Sequence, residues 1–175
     1  IDINWGGKAV KQRAITTAVS NVSYDLDIHL LNEEVLHVYT VNWAGSLRRF
    51  NLFDLDSSWE VVPMPMDDQS QLTYEMIDDG YEVDSHNATS GGNENHKGFS
   101  VKVQSDTIWV GTSNGVNKGI IKGDYDIDWT HYTKQDGLAG DWITGIEIQT
   151  FEDRERGIDR IDQGAEWTQV FDKLM

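Results

Sequence analysis

Three carboxylates at alternate positions, Asp124, Asp126 and Asp128, are the clearest candidates in this chain for metal chemistry. Asp-x-Asp-x-Asp is a spacing with which calcium-binding loops begin. Such loops need glycine at the sixth position and glutamate at the twelfth, whereas this chain has Trp129 and Gln135 there. If the segment is a strand, the three side chains project from one face and could still hold a cation. Ca²⁺ is therefore the one cofactor with candidate ligands, and a solvated acidic loop is the alternative.

Histidines and tryptophans supply the other side chains that could contact a ligand. His86 and His96 lie among acids and amides in the stretch 84–97 and could donate ring nitrogens, although no short spacing pairs them. Trp43 and Trp142 are next to predicted turns, where an aromatic ring could stack on a sugar or on a partner protein. The chain contains no Gly-x-Ser-x-Gly, phosphate-loop or His-Glu-x-x-His motif. The sequence therefore nominates ligand-binding residues and no catalytic ones.

The composition excludes several classes of partner. With 30 acidic and 14 basic residues the net charge is −16, which argues against nucleic acid and anionic membranes. No run approaches the ~18 apolar residues of a membrane helix, so we predict no membrane insertion. The absence of cysteine excludes disulfides and thiolate zinc sites. A chain of 175 residues is one domain or part of one.

Short strand-like segments separated by glycine, asparagine and aspartate turns dominate the chain from residue 21. They form two copies of a four-strand unit, at 24–28, 35–41, 45–50 and 59–62, and at 99–103, 107–110, 115–121 and 129–132. Fourteen residues separate Gly45 from Trp59, and fourteen separate Gly115 from Trp129. A third copy begins with an alternating strand at 142–148. We therefore predict an all-β fold, in which 24–28 buries its apolar side.

The second copy carries a recognisable motif series: Trp109-Val110-Gly111-Thr112, then Gly115-Val116, the aromatic strand 129–132, and Asp136-Gly137-Leu138. This series resembles the repeat of two-component-regulator β-propellers. The resemblance implies a partial propeller of about three four-stranded antiparallel blades, from an extracytoplasmic (periplasmic or cell-surface) bacterial protein. It also implies that seven residues are structural positions of the repeat: Trp109, Gly111, Thr112, Gly115, Trp129, Gly137 and Leu138. Trp109 is accordingly expected to pack between adjacent blades.

The repeats divide residues 1–175 as a single partial propeller. Blade 1 covers about 21–62 and is followed by an insertion at 63–97, whose polar parts are predicted to be loops that carry function. Blade 2 covers about 98–132 and blade 3 about 142–170. Blade 3 has only eight residues, 149–156, in which to fit a strand and two turns, so we expect it to be incomplete. Because a propeller needs at least about four blades, the rest of the propeller or a partner chain must complete the structure.

Three functions are compatible with this pattern. The first is a non-catalytic module for ligand sensing or protein–protein interaction. The second is a structural subunit of a cell-surface or secretion assembly. The third is a propeller-type lyase or hydrolase, which would need a histidine–carboxylate cluster at the propeller axis. The fold alone does not choose among them.

Overall fold

The computed structural model describes residues 2–5, 8–11, 23–43, 45–54, 56, 58–81, 83 and 93–148, with backbone only in the first two ranges. The described part is mostly β, as predicted. A hairpin of β1 (Asp2–Trp5) and β2 (Lys8–Lys11) comes first. Sheet I comprises β3 (Ser23–Asn32), β4 (Val35–Asn42), β5 (Ser46–Asn51) and β6 (Glu60–Val61). Sheet II comprises β7 (Gly98–Gln104), β8 (Thr107–Thr112), β9 (Gly115–Ile121) and β10 (Ile127–Tyr132).

Both sheets are antiparallel meanders in which the strands follow chain order. Two four-stranded units therefore lie where the fourteen-residue interval predicts them. The turn between β8 and β9 depends on Gly115, which has a φ of +105°. A side chain there would run into the carbonyl oxygen of Tyr132. Glycine is required at this position both for its backbone conformation and for its lack of a Cβ.

The core lies between the two sheets. Tyr39, Val41 and Leu47 of sheet I pack with Ile108 and Val110 of sheet II, and all five are fully buried. Aligning the turn glycines of the repeats makes Tyr39 the counterpart of the second sheet's residue 109, and Val38 the counterpart of residue 108. The Tyr39 face of sheet I therefore packs against the Ile108 face of sheet II, which is the counterpart of the Val38 face of sheet I. The two sheets are thus stacked front to back and have the same orientation.

This stacking places Trp109 on the far face of sheet II. Trp109 is half-buried rather than part of the core between the described sheets. The ammonium of Lys118, its neighbour on β9, lies 5.2 Å from its ring centroid. Trp129 instead packs against the edge of the core, as its place in the repeat implies.

The face that β3 buries is the reverse of the predicted one. Tyr24, Leu26, Ile28 and Leu30 are 51%, 61%, 56% and 60% exposed. We call these four residues the apolar stripe. The intervening polar side chains point toward sheet II, so the rule that a strand buries its apolar side fails here.

Two carboxylates explain the reversal. Asp25 and Asp27 lie at the edge of β3, next to the edge of β7. One oxygen of each accepts the N–H of the following β3 residue, at 2.9 and 2.8 Å. The other oxygen accepts an N–H from β7, of Val101 at 3.1 Å and of Val103 at 2.8 Å. The carboxylates therefore satisfy backbone donors on both strand edges, which would otherwise be left unpaired.

The segment 142–148 is not a strand of any sheet in the described chain, contrary to the prediction. It nevertheless extends alongside sheet II. The N–H of Ile143 donates to the carbonyl oxygen of Thr112 at 2.9 Å, and the N–H of Ile146 donates to Ser100 Oγ at 3.0 Å. Ser100 and Asp25 are repeat counterparts, so 142–148 contacts β7 in the way that β7 contacts β3.

A reversal of residue size accompanies this repeated contact. At the junction of the two sheets, a Cβ on Gly98 would lie 2.8 Å from Val41 Cβ. At the next junction, a Cβ on Gly111 would lie 2.8 Å from Cγ2 of Ile143. At the first junction the large residue, Val41, belongs to the earlier segment, and at the second the large residue, Ile143, belongs to the later one. Each junction therefore pairs one glycine with one large side chain, which fills the space between the two segments.

Of the polar parts of the insertion that were predicted to be loops, 67–70 forms a turn, whereas 94–96 is a short 3₁₀ turn with buried side chains. The described residues of the insertion also include ordered and buried parts. They contain α1 (Tyr74–Asp78), the 3₁₀ turn Glu94–His96 and the buried side chains of Met64 and Leu72. Residues 84–92 with His86, and residues 149–175 with the rest of blade 3 and its short connection, lie outside the described residues.

Candidate functional site

The structure brings together the two tryptophans that the sequence nominated. Trp43 and Trp142 have ring centroids 6.2 Å apart, and Phe99 lies 5.5 Å from the first and 5.7 Å from the second. Tyr24, at the start of the apolar stripe, is 5.6 Å from Phe99. We call these four residues the aromatic cluster. Trp142 is 61% exposed, so the cluster offers an accessible ring face.

Four separate segments position the cluster, and Tyr24 comes from the start of β3. Trp43 is in the turn after β4, and Phe99 is the second residue of β7. Trp142 follows the 3₁₀ turn Lys134–Asp136, which is closed by a capping box from Thr133 and by Gly137 at a φ of +102°. The carbonyl of Asp141 then accepts the N–H of Gly115, at 2.6 Å. The predicted Asp-Gly-Leu turn thus directs the chain back to the start of β9.

A charged pair borders the cluster. The ammonium of Lys97 lies 5.4 Å from the ring centroid of Trp43, a distance suited to a cation–π contact. The same ammonium is paired with Glu94, which also accepts a hydrogen bond from Ser113 at 2.7 Å. Burial opposes ionisation of Glu94, but the bonds from Lys97 and Ser113 outweigh it and lower its pKa. The border of the cluster therefore carries fixed, ionised hydrogen-bonding groups.

The three predicted metal ligands do not converge. Asp124 Oδ1 lies 2.9 Å from Nε2 of His37 and 3.5 Å from Nη1 of Arg49, so a histidine and the protein's own guanidinium face it. Asp128 is paired with Lys122. Only the last of the three aspartates is in a strand, because β10 begins at Ile127. Within the described ranges, no group of three histidine, cysteine or acidic side chains is placed to hold a metal ion.

A buried arginine, which the sequence reading missed, organises this region. Arg49 is 2% exposed and donates to Glu60 Oε2 from Nε at 3.1 Å and from Nη2 at 3.0 Å. It also donates to the carbonyl oxygen of Asp124. Its guanidinium carbon lies 4.6 Å from the ring centroid of Tyr125 and 5.9 Å from that of Tyr74. The feature of the sequence that could have revealed it is a charged residue two positions after Leu47, on the side of β5 that faces the core.

Burial controls the ionisation of the groups around Arg49. It raises the pKa of Tyr74 and of Tyr39 to about 12, so both phenols stay neutral. It lowers the pKa of His37, an effect that Arg49 reinforces and Asp124 opposes. The guanidinium of Arg49 therefore lies between the carboxylates of Glu60 and Asp124, while the imidazole of His37 stays neutral.

A cleft of about 590 Å³ lies beside this buried group, between α1 and β10. Tyr74, Tyr125 and Trp129 are among its lining residues, as are Asp126 and Asp128 from the predicted metal triad. We call it the α1–β10 cleft. The triad is thus split, with two members lining the cleft and one facing Arg49.

The two histidines of the insertion have different outcomes. His86 lies outside the described residues. His96 is 1% exposed, and burial lowers its pKa to about 4, so it is a neutral residue inside the core. Its neighbour Asn95 anchors the insertion, donating to the carbonyl of Pro65 at 2.6 Å and to Oδ1 of Asn117 at 2.9 Å.

No family model, curated protein or solved structure matches this chain. Among the residues described, no helix is long and apolar enough to cross a membrane.

Proposed function

We propose that this chain is a non-catalytic binding module, built from adjacent blades of a two-component-regulator type propeller, that binds a carbohydrate at the aromatic cluster. The observation that supports it is the contact between Trp43 and Trp142, which are 99 positions apart in the sequence (142 − 43) and 6.2 Å apart in space. As an extracytoplasmic bacterial protein, the module would sense such a ligand outside the cell.

The propeller assignment rests on the repeated relation between segments. Sheet II follows sheet I with the same strand order and the same stacking sense, and 142–148 then contacts β7 as β7 contacts β3. Successive blades of a propeller are related in this way, each by the same rotation. Further sheets would complete the ring.

A carbohydrate suits the chemistry of the cluster. The C–H face of a sugar ring stacks on an exposed indole, and its hydroxyls need charged or polar groups at the edge of that contact. Trp142 supplies the exposed ring, while Lys97 and Glu94 supply the charged groups near Trp43.

Titration of the chain with xylo-, cello-, chito- and polygalacturonate oligosaccharides, followed by tryptophan fluorescence, tests the proposal. At least one series should bind, and Trp142→Ala should weaken that binding by about tenfold, equivalent to about 1.4 kcal/mol. Trp59→Ala is the matched control, since Trp59 packs on Phe50 outside the cluster. Failure of every series to bind, or equal affinity of the Trp142 variant, would reject carbohydrate binding.

A structural subunit of a surface or secretion assembly is a second candidate, favoured by the apolar stripe. The apolar stripe and Val38 share one face of sheet I. The corresponding face of sheet II is the one that packs against sheet I in the core. The fitting occupant of the apolar stripe is therefore another antiparallel sheet that presents a Tyr39-like face. Sedimentation of the complete protein with Leu26→Glu and Ile28→Glu should then show a lost subunit contact. A lyase or hydrolase lacks comparable support, because the two described histidines within 4 Å of a carboxylate oxygen, His29 and His37, are both buried.

A further inference from the structure

The α1–β10 cleft has a lining unlike that of the aromatic cluster. Its volume of about 590 Å³ is in the range of small-molecule sites. The charged residues among its described lining are Asp126 and Asp128, and both are acidic. The remaining wall combines aromatic rings with uncharged side chains. A ligand that enters therefore meets aromatic surfaces and negative charge together.

The aromatic wall is built as an edge-to-face pair. The rings of Tyr74 and Tyr125 have centroids 5.5 Å apart and an interplanar angle of 77°. Tyr125 is 61% exposed, and Trp129 lines the cleft from β10. Because rings carry negative potential on their faces, several rings around one space favour a cation over a neutral molecule of the same shape.

The protein already uses these rings to hold a cation. The guanidinium of Arg49 lies against both tyrosines, 4.6 Å from the centroid of Tyr125. Its charge does not forbid a second cation, because Glu60 and Asp124 lie within 3.0 and 3.5 Å of it and neutralise it locally.

The carboxylates provide the long-range attraction. Lys122 pairs with Asp128, while Asp126 is an exposed side chain on the same edge. Two acids and one lysine leave a local net charge of −1, on a chain whose net charge is −16. Both the negative electrostatic potential of the chain and the aromatic and acidic residues of the cleft therefore favour positively charged ligands.

We propose that the α1–β10 cleft binds an organic ammonium cation, which is held by cation–π contacts with Tyr74, Tyr125 and Trp129 and by the charge of Asp126. This site is independent of the carbohydrate site at the aromatic cluster, because the two share no residue.

Choline and its neutral isostere 3,3-dimethylbutan-1-ol form a matched pair of probes. Both are titrated into ¹⁵N-labelled protein, and the indole N–H of Trp129 reports on the cleft. Choline should bind about fivefold more tightly than the alcohol, the scale of a solvent-exposed cation–π contact. Added KCl should weaken choline binding and leave the alcohol unaffected.

Two pairs of variants separate the ring effect from the charge effect. Tyr125→Leu, which leaves Tyr74 and Trp129 in place, should reduce the preference for choline, while Tyr125→Phe, which keeps the ring, should retain it. Unchanged binding of the neutral alcohol by both variants excludes a folding defect. Asp126→Asn should weaken choline binding by about threefold, the scale of one partly screened charge. The exposed acid Glu147 lies beside β7, at the opposite edge of sheet II from β10, and gives the control Glu147→Gln, which should have no effect. Equal affinity for the two probes, no shift at Trp129 with choline at ~100 mM, or binding in Tyr125→Leu equal to the wild type would each overturn the proposal.

Discussion

Replacing His96 tests whether this histidine is buried and unprotonated in the folded protein. Burial lowers its pKa from 6.5 to about 4, while the nearby Asp67 acts weakly in the other direction. Between these two values the unfolded chain binds a proton that the folded chain does not. Stability is therefore fully present at pH 7 and is lost as the pH falls from about 6.5 toward 4. At ~1.4 kcal/mol for each pKa unit, the loss is about 3 kcal/mol.

The measurement is urea unfolding of the wild type and of His96→Gln at several pH values from 7 to 4. Carboxylates and His37, whose pKa is also lowered, titrate in both proteins, so the difference between the two stabilities isolates His96. That difference should shrink by about 3 kcal/mol as the pH falls. A difference that stays constant within ~0.5 kcal/mol, the usual scatter of additivity, would refute the burial of an unprotonated His96.

Two further predictions concern the packing of the sheets. Gly98→Ala places a methyl 2.8 Å from Val41 Cβ, so urea unfolding should show a loss of ~1–3 kcal/mol. In the Val41→Gly background the same substitution should cost at least ~1 kcal/mol less, and strict additivity would contradict the close contact. Trp109→Ala should cost about 1–2 kcal/mol, below the ~3–5 kcal/mol of a core tryptophan, because Trp109 is half-buried. A larger loss would return Trp109 to the core.

The two sheets could be predicted because their signals are local. Turn glycines, such as Gly115, and the spacing to the next tryptophan mark strand boundaries without reference to the rest of the chain. The orientation of β3 could not be predicted, since it depends on Asp25 and Asp27 meeting a strand about 75 residues later. The alternation of apolar and polar residues predicts only that the apolar side of a strand is buried. It takes no account of unpaired backbone N–H groups on a strand that is distant in the sequence.

The candidate sites show the same limit. Trp43 and Trp142 could be nominated singly, from their positions near turns, but their contact depends on how successive segments stack. The three aspartates of the predicted metal site do not converge, because Asp124 faces Arg49, which is 75 positions away in the sequence. Spacing along a chain identifies ligands that face one another only when no other part of the protein supplies a counter-charge.

The carboxylates of Asp25 and Asp27 also bear on how this chain avoids aggregation. A strand edge recruits foreign strands through its unsatisfied amide hydrogens, and β3 and β7 each have an outer edge. Here the amides of Leu26, Ile28 and Val103 are already occupied by side-chain oxygens. Replacing both aspartates with leucine would remove that protection from two strands at once. Resistance to fibril growth would then fall through the loss of two carboxylates, although the number of strands stayed the same.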